Sequence, residues 1–293
     1  PDGPIPSVRT AVQTRLSIRI GLAIEIGNAV RTRYPFTRSC RPSTMSDADG
    51  AWISLFSGGK DSAWALYQAL ERGLPVERLV TVHPAGDSYM YHVPATELAA
   101  LAAESTGIEL VDIEPADFGA DAATDSSTQG DDELEPLEAA LESLDRELAG
   151  GIAGVTAGAV ESEFQTNRIQ GMCDRLDCEL FAPLWQEDPH ELADAMLEAG
   201  FEIVIIQVAA HGLDESWLGR TLDSEAIDEL EALNEEYGVH ILGEGGEFET
   251  LVVDGPHMDR RIDLEYETEW DGTRGRLRIT DASLEVRSGV ESR

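Results

Sequence analysis

The sequence predicts an α/β protein: a parallel sheet covered by helices, followed by a smaller α+β part. Three observations predict it. From residue 51 onward, short apolar runs alternate with helical patterns, the arrangement that buries parallel strands on both faces. The first apolar run leads through a glycine-rich loop, "SGGKDS", straight into the first helical pattern. Past about residue 182 the style changes to one strongly apolar strand, a capped helix and a β-rich tail.

The elements follow in order. Residues 51–56 read as a buried strand, and 62–72 as a helix stopped by Gly73 with Pro75 beyond it. A second strand is expected at 78–83, an alanine-rich helix at 94–106 and a third strand at 108–114. The stretch "ADAATDSSTQGDDE" is polar with no apolar period and reads as a linker. Then come a helix at 135–149, a strand at 152–160, a helix at 162–176 and a strand at 179–185. In the second part, 189–198 is a helix ended by Gly200, and "FEIVIIQVAA" is a strand. Residues 224–237 form a helix with Ile227, Leu230, Leu233 and Tyr237 at apolar positions, closed by Gly238. Residues 261–286 are β-rich, turning at Asp271-Gly272. The expected division is 45–182 and 183–293.

Charge sets residues 1–44 apart. The 293-residue chain carries −36, with 57 acidic against 21 basic residues. Residues 1–44 hold seven arginines and two acidic residues, a net +5, which leaves −41 on the remainder. This basic segment is expected to lie outside the natural fold, with Met45 read as the natural start. Elsewhere the acidic residues are dispersed, as in proteins of extreme halophiles, where high salt screens the repulsion. No direct nucleic-acid partner is expected. No apolar run reaches the roughly 20 residues of a membrane span, so no membrane partner is expected either. Cys40, Cys173 and Cys178 are odd in number and lack metal-type spacing, which fits a reducing, cytoplasmic setting.

Lysine is the sharpest signal. The chain has a single lysine, Lys60, and it sits in "SGGKDS". A loop between a strand and a helix N-terminus aims backbone N–H groups outward, which favours phosphate. Gly58 and Gly59 permit close backbone approach, Ser57 and Ser62 add hydroxyls, and Lys60 adds a mobile point charge. The spacing is neither G-x-x-x-x-G-K-[ST] nor G-x-G-x-x-G, which disfavours P-loop and NAD chemistry.

SGGKDS resembles the pyrophosphate-binding loop of the N-type ATP pyrophosphatases, the PP-loop superfamily with its Rossmann-like (HUP-type) nucleotide domain. Further stretches resemble the diphthine–ammonia ligase (diphthamide synthase) family: "DSYMYHVP", "GAVESEFQTNRIQGMCDRL", "LWQEDPHELADAML", "AAHGLDESWLGRTLD" and "GEGGEFETLVVDGP". The resemblance spans most of 51–260. It departs at the basic segment 1–44 and at the acidic stretch near 119–133.

The resemblance implies the last step of diphthamide synthesis. ATP activates the carboxylate of diphthine on translation elongation factor 2, ammonia forms the amide, and AMP and pyrophosphate leave. The implied cofactors are ATP and Mg²⁺. The implied catalytic residues are Lys60, Asp61, Glu244 and Glu247, with Asp61 also the metal ligand. ATP would meet Ser57, Gly58, Gly59, Lys60, Asp61, Ser62, His92, Gly158, Ala159 and Arg168. The substrate would meet Trp185 and the run Gly245, Gly246, Glu247, Phe248, Glu249 and Thr250, with carboxylates and aromatic faces holding the trimethylammonium group. Two rival readings are a tRNA-modifying ligase of the same superfamily and a nucleotide-binding module without chemistry.

Overall fold

The computed structural model describes residues 50–82, 96–113, 126–158 and 163–286, the side chains at 96–97, 126–133 and 163–165 excepted. The expectations for 1–44, His92 and Ala159 lie outside the described residues. Five strands form the first sheet: β1 (Ala51–Leu55), β2 (Val76–Val82), β3 (Glu109–Ile113), β4 (Ile152–Thr156) and β5 (Glu179–Phe181). All their pairings are parallel, in the order β3-β2-β1-β4-β5. The chain winds outward from β1 to β3, then returns to place β4 on the other side of β1. The crevice at the carboxyl ends of β1 and β4 is therefore the topological switch point, where open α/β sheets bind ligands.

Helices cover both faces. On one face, Ile53, Val80, Val155 and Ile152 pack against Leu137 and Leu141 of α3 (Ser126–Glu147) and Met172 and Cys173 of α4 (Glu163–Leu176). On the other, Phe56 and Leu79 pack against Ala63, Trp64 and Leu66 of α1 (Lys60–Glu71) and Ala102 of α2 (Thr96–Thr106).

That second cluster continues without a break into a four-stranded antiparallel sheet. Its order is β7-β6-β9-β8, built from β6 (Glu202–Val208), β7 (Phe248–Asp254), β8 (Arg260–Trp270) and β9 (Gly275–Val286). β6 supplies Ile203, Ile205 and Val208 to the shared core, and β7 supplies Phe248, Leu251, Val252 and Val253. Helices α5 (Pro189–Glu198) and α6 (Ser224–Tyr237) flank this sheet, each opened by an aspartate cap, Asp188 and Asp223. Gly238 ends α6 in the left-handed conformation, at φ 75°. Among the described residues, no helix is long and apolar enough to cross a membrane.

Several boundaries differ from expectation. Helix α3 begins at Ser126, inside the stretch read as a linker. That segment has no apolar period, so hydrophobic patterning could not announce it. Strand β4 ends at Thr156, where the chain leaves the sheet at the switch point, and the edge strand β5 spans three residues. Helix α1 starts at Lys60, two residues before the expected start, so the lysine itself occupies the first turn.

Candidate active site

The loop 57–60 closes on itself before α1 begins. Ser62 Oγ donates to the Gly59 carbonyl at 3.1 Å and accepts from the Ser57 N–H at 3.2 Å. The Gly59 N–H donates to Ser57 Oγ at 3.4 Å. Gly58 has φ +82°, a conformation that a side chain would strain. Gly59 caps α1 in an extended conformation and makes no side-chain cap bond. The turn thus brings the N-terminus of α1 to the crevice without a capping side chain from its own loop.

Strand β7 lies directly against this loop, although 190 residues separate them in sequence. The Lys60 N–H donates to Thr250 Oγ1 at 3.2 Å, and the Val252 N–H donates to the Gly58 carbonyl at 3.0 Å. A Cβ on Gly59 would sit 3.3 Å from the Thr250 carbonyl oxygen. On the other side, a Cβ on Gly158 would lie 2.5 Å from the Asp61 carbonyl carbon and 2.7 Å from the Ser62 nitrogen. Glycine at 158 is what lets the end of β4 touch the first turn of α1.

The Lys60 side chain is 5% exposed. Its Nζ donates to Asp61 Oδ2 at 2.6 Å and to Glu244 Oε1 at 3.5 Å. Burial alone would push the ammonium down, but the facing carboxylates of Asp61, Glu244 and Glu249 outweigh it and hold Lys60 above the ordinary lysine range. Glu249 shows the reverse balance. Burial raises its carboxyl, Lys60 opposes that rise, Asp61 and Glu247 add to it, and the pKa reaches about 7. Asp61 Oδ1 is buried with no hydrogen-bond partner among the described residues.

Glu249 yields a pH prediction. Its folded pKa lies above the ordinary glutamate value, so the folded protein holds this proton more tightly than the unfolded chain. Its contribution to stability is present below about 4.5 and is lost as pH rises through about 7. Glu249→Gln mimics the protonated form. Denaturant unfolding should find variant and parent alike near pH 4, and the variant more stable at pH 8 by up to roughly 3 kcal/mol.

The glycine loop before β7 is held by its own acids. Glu247 accepts from the Gly245 N–H at 2.7 Å and from the His240 N–H at 3.3 Å. The roles expected for Glu247 were catalysis and substrate contact; both its oxygens engage the loop backbone. His240 Nδ1 accepts from the N–H groups of Leu242 at 3.1 Å and Glu244 at 3.4 Å. His240 thus positions the Glu244 backbone. The signal available was its place four residues before Glu244.

The other expected residues are dispersed. Phe248 is 2% exposed and belongs to the core, which corrects the expectation of a ring offered to a substrate cation. Its ring instead backs Gly243, whose Cβ would lie 3.2 Å from it. Trp185 is half-buried in the turn after β5, and no described ring contact joins it to the glycine loop. Gly245 is exposed and Gly246 half-buried, with φ 78° at Gly246. Arg168 lines a groove of about 650 Å³ between α3 and α4, with Glu138, Glu142, Asn167 and Arg175.

Known proteins share both halves of this arrangement. The diphthamide synthase N-terminal domain model matches residues 50–180, and the C-terminal domain model matches residues 188–285. The chain belongs to the diphthine–ammonia ligase family. A diphthine–ammonia ligase of Danio rerio is 36% identical over 220 residues, covering 72% of this chain and 84% of the relative. Those of Bos taurus and Homo sapiens are each 33% identical over 218 residues, covering 71% of this chain and 80% of theirs. Within this family frame, the Lys60 loop falls in the N-terminal domain match and Glu244, Glu249 and Thr250 in the C-terminal one. The Lys60 cluster therefore draws residues from both.

Proposed function

We propose that this protein catalyses the ATP-dependent amidation of diphthine on translation elongation factor 2 by ammonia, through an acyl-adenylate, releasing AMP and pyrophosphate. The observation that carries this reading is the contact between the Lys60 loop and the β7 loop. It sets a phosphate-type helix N-terminus beside half-buried carboxylates, Glu244 from the loop before β7 and Glu249 from β7 itself.

In this reading the two parts divide the work. Residues 45–182 handle ATP, and 183–293 present the acceptor. The acceptor carboxylate oxygen attacks the α-phosphorus, and pyrophosphate leaves. The Lys60 ammonium and the N–H groups that follow it in the first turn of α1 meet the phosphate oxygens, with Ser57 and Ser62 beside them. Ammonia then attacks the acyl carbon and AMP departs. Glu249 is suited to take the proton released as the amide forms, since its pKa lies near the pH of the reaction. Trp185 and the acidic loop would face the trimethylammonium group.

The residues present fit Mg²⁺. Three carboxylates surround one ammonium, so an added polyphosphate needs a cation to offset the charge. Asp61 Oδ1, buried without a hydrogen-bond partner, is the group that would hold it. Bound there, the ion would neutralise charge on the phosphates.

The setting is cytosolic and salty in this reading. With −41 on residues 45–293, the melting temperature should rise between low and molar KCl. A salt-independent melting temperature would contradict the halophilic assignment.

The function itself is tested by AMP release from ATP in high salt. Release should require both ammonium and diphthine-bearing elongation factor. AMP release with tRNA in place of the factor would favour a tRNA-modifying ligase. ATP binding with no AMP release under any condition would favour a module without chemistry.

A further inference from the structure

The C-terminal cap of α4 brings two cysteines together. The helix ends at Leu176, Asp177 takes the left-handed conformation at φ 54°, and the Cys178 N–H donates to the Cys173 carbonyl at 3.0 Å. This is the cap in which the chain folds back over the last turn. In it, the side chain after the left-handed residue meets that of the residue whose carbonyl accepts the bond. Cys178 and Cys173 hold those two positions.

Each thiol is the main influence on the other. Their contact pushes Cys173 up, with burial adding to the rise, and pushes Cys178 down against the opposing effects of burial and of Asp145 and Asp177. Access differs too. Cys173 is fully buried beside Met172 and Ile169, whereas Cys178 is half-buried, between exposed Asp177 and exposed Glu179.

We propose that this pair is a peroxide-reactive dithiol that closes to an intrachain Cys173–Cys178 disulfide. The Cys178 thiolate attacks one peroxide oxygen and the O–O bond breaks, giving a sulfenic acid and, after proton uptake, water. The Cys173 sulfur then attacks the Cys178 sulfur, loses its proton and displaces the hydroxyl as a second water. Two thiols lose two hydrogens in all, and one peroxide becomes two waters. Closure needs no search through chain conformations, since the cap already holds the sulfurs in neighbouring positions. The product bond would tie the end of α4 to the residue that leads into β5, the edge strand beside β4.

The test uses the full-length chain carrying Cys40→Ser, so that only these two thiols remain. The folded protein is treated with equimolar hydrogen peroxide, denatured, alkylated and mapped by peptide mass. The expected result is a loss of two hydrogens, no alkylation at either cysteine, and one peptide linked between 173 and 178. With Cys173→Ser added, Cys178 should instead retain one oxygen; with Cys178→Ser, Cys173 should alkylate fully. Oxygen accumulating on Cys178 while Cys173 still alkylates in the two-thiol protein would overturn the proposal. So would full alkylation of both, or a bond between two chains.

Discussion

Lys60→Ala should reduce AMP release at least about 100-fold with all substrates present, because it removes the single ammonium from the phosphate loop. It also leaves Asp61, Glu244 and Glu249 facing one another without their cation. Losing one partner of a buried charge cluster costs roughly 3–5 kcal/mol when the remaining charges cannot reach water. Asp61 and Glu244 are 26% and 20% exposed, so the stability loss should fall below that range. The folded variant can therefore be assayed. Calorimetry should show weakened ATP binding, and Lys60→Arg should restore binding better than turnover, since a planar fork replaces a point charge. Normal ATP binding by Lys60→Ala would mean that the lysine serves the carboxylates alone.

Gly158→Ala should be nearly as severe through a different cause. The new Cβ would lie 2.5 Å from the Asp61 carbonyl carbon and 2.6 Å from its oxygen. Both are backbone atoms, so no side chain can swing away. Either the end of β4 or the first turn of α1 must move. Displacing a phosphate loop by about 1 Å can cost on the order of 100-fold in rate. AMP release should fall by about that factor, with a lower melting temperature. Gly73→Ala is the control: nothing lies within 4 Å of its Cβ, but φ is +73°. It should lower stability by about 1 kcal/mol and leave the rate unchanged. Equal rate losses in both variants would point to general destabilisation.

The parallel sheet and the glycine loop around Lys60 were legible because each follows from local chemistry. Apolar strands alternate with helices, and a glycine pair precedes an isolated lysine. The acidic glycine loop stood out in the sequence, but the positions of its parts did not. Sequence alone could not show that Glu247 turns back on its own loop, or that Phe248 faces the core, because both outcomes depend on the path of the turn before β7. Nor could it show that Glu244 and Glu249 reach Lys60. That contact is set by β7 lying against the loop after β1, which no local pattern records. Polar α3 illustrates the same limit: its first turns carry no apolar stripe, so nothing distinguished them from a linker.

The most direct measurement follows the nitrogen. Diphthine-bearing elongation factor is incubated with the protein, ATP, Mg²⁺ and ¹⁵N-ammonium in high salt, and the modified histidine peptide is analysed by mass spectrometry beside AMP. The account predicts a ¹⁵N-labelled amide on that histidine, with one AMP formed per amide. AMP formed without label in the peptide, or label appearing without AMP, would contradict it.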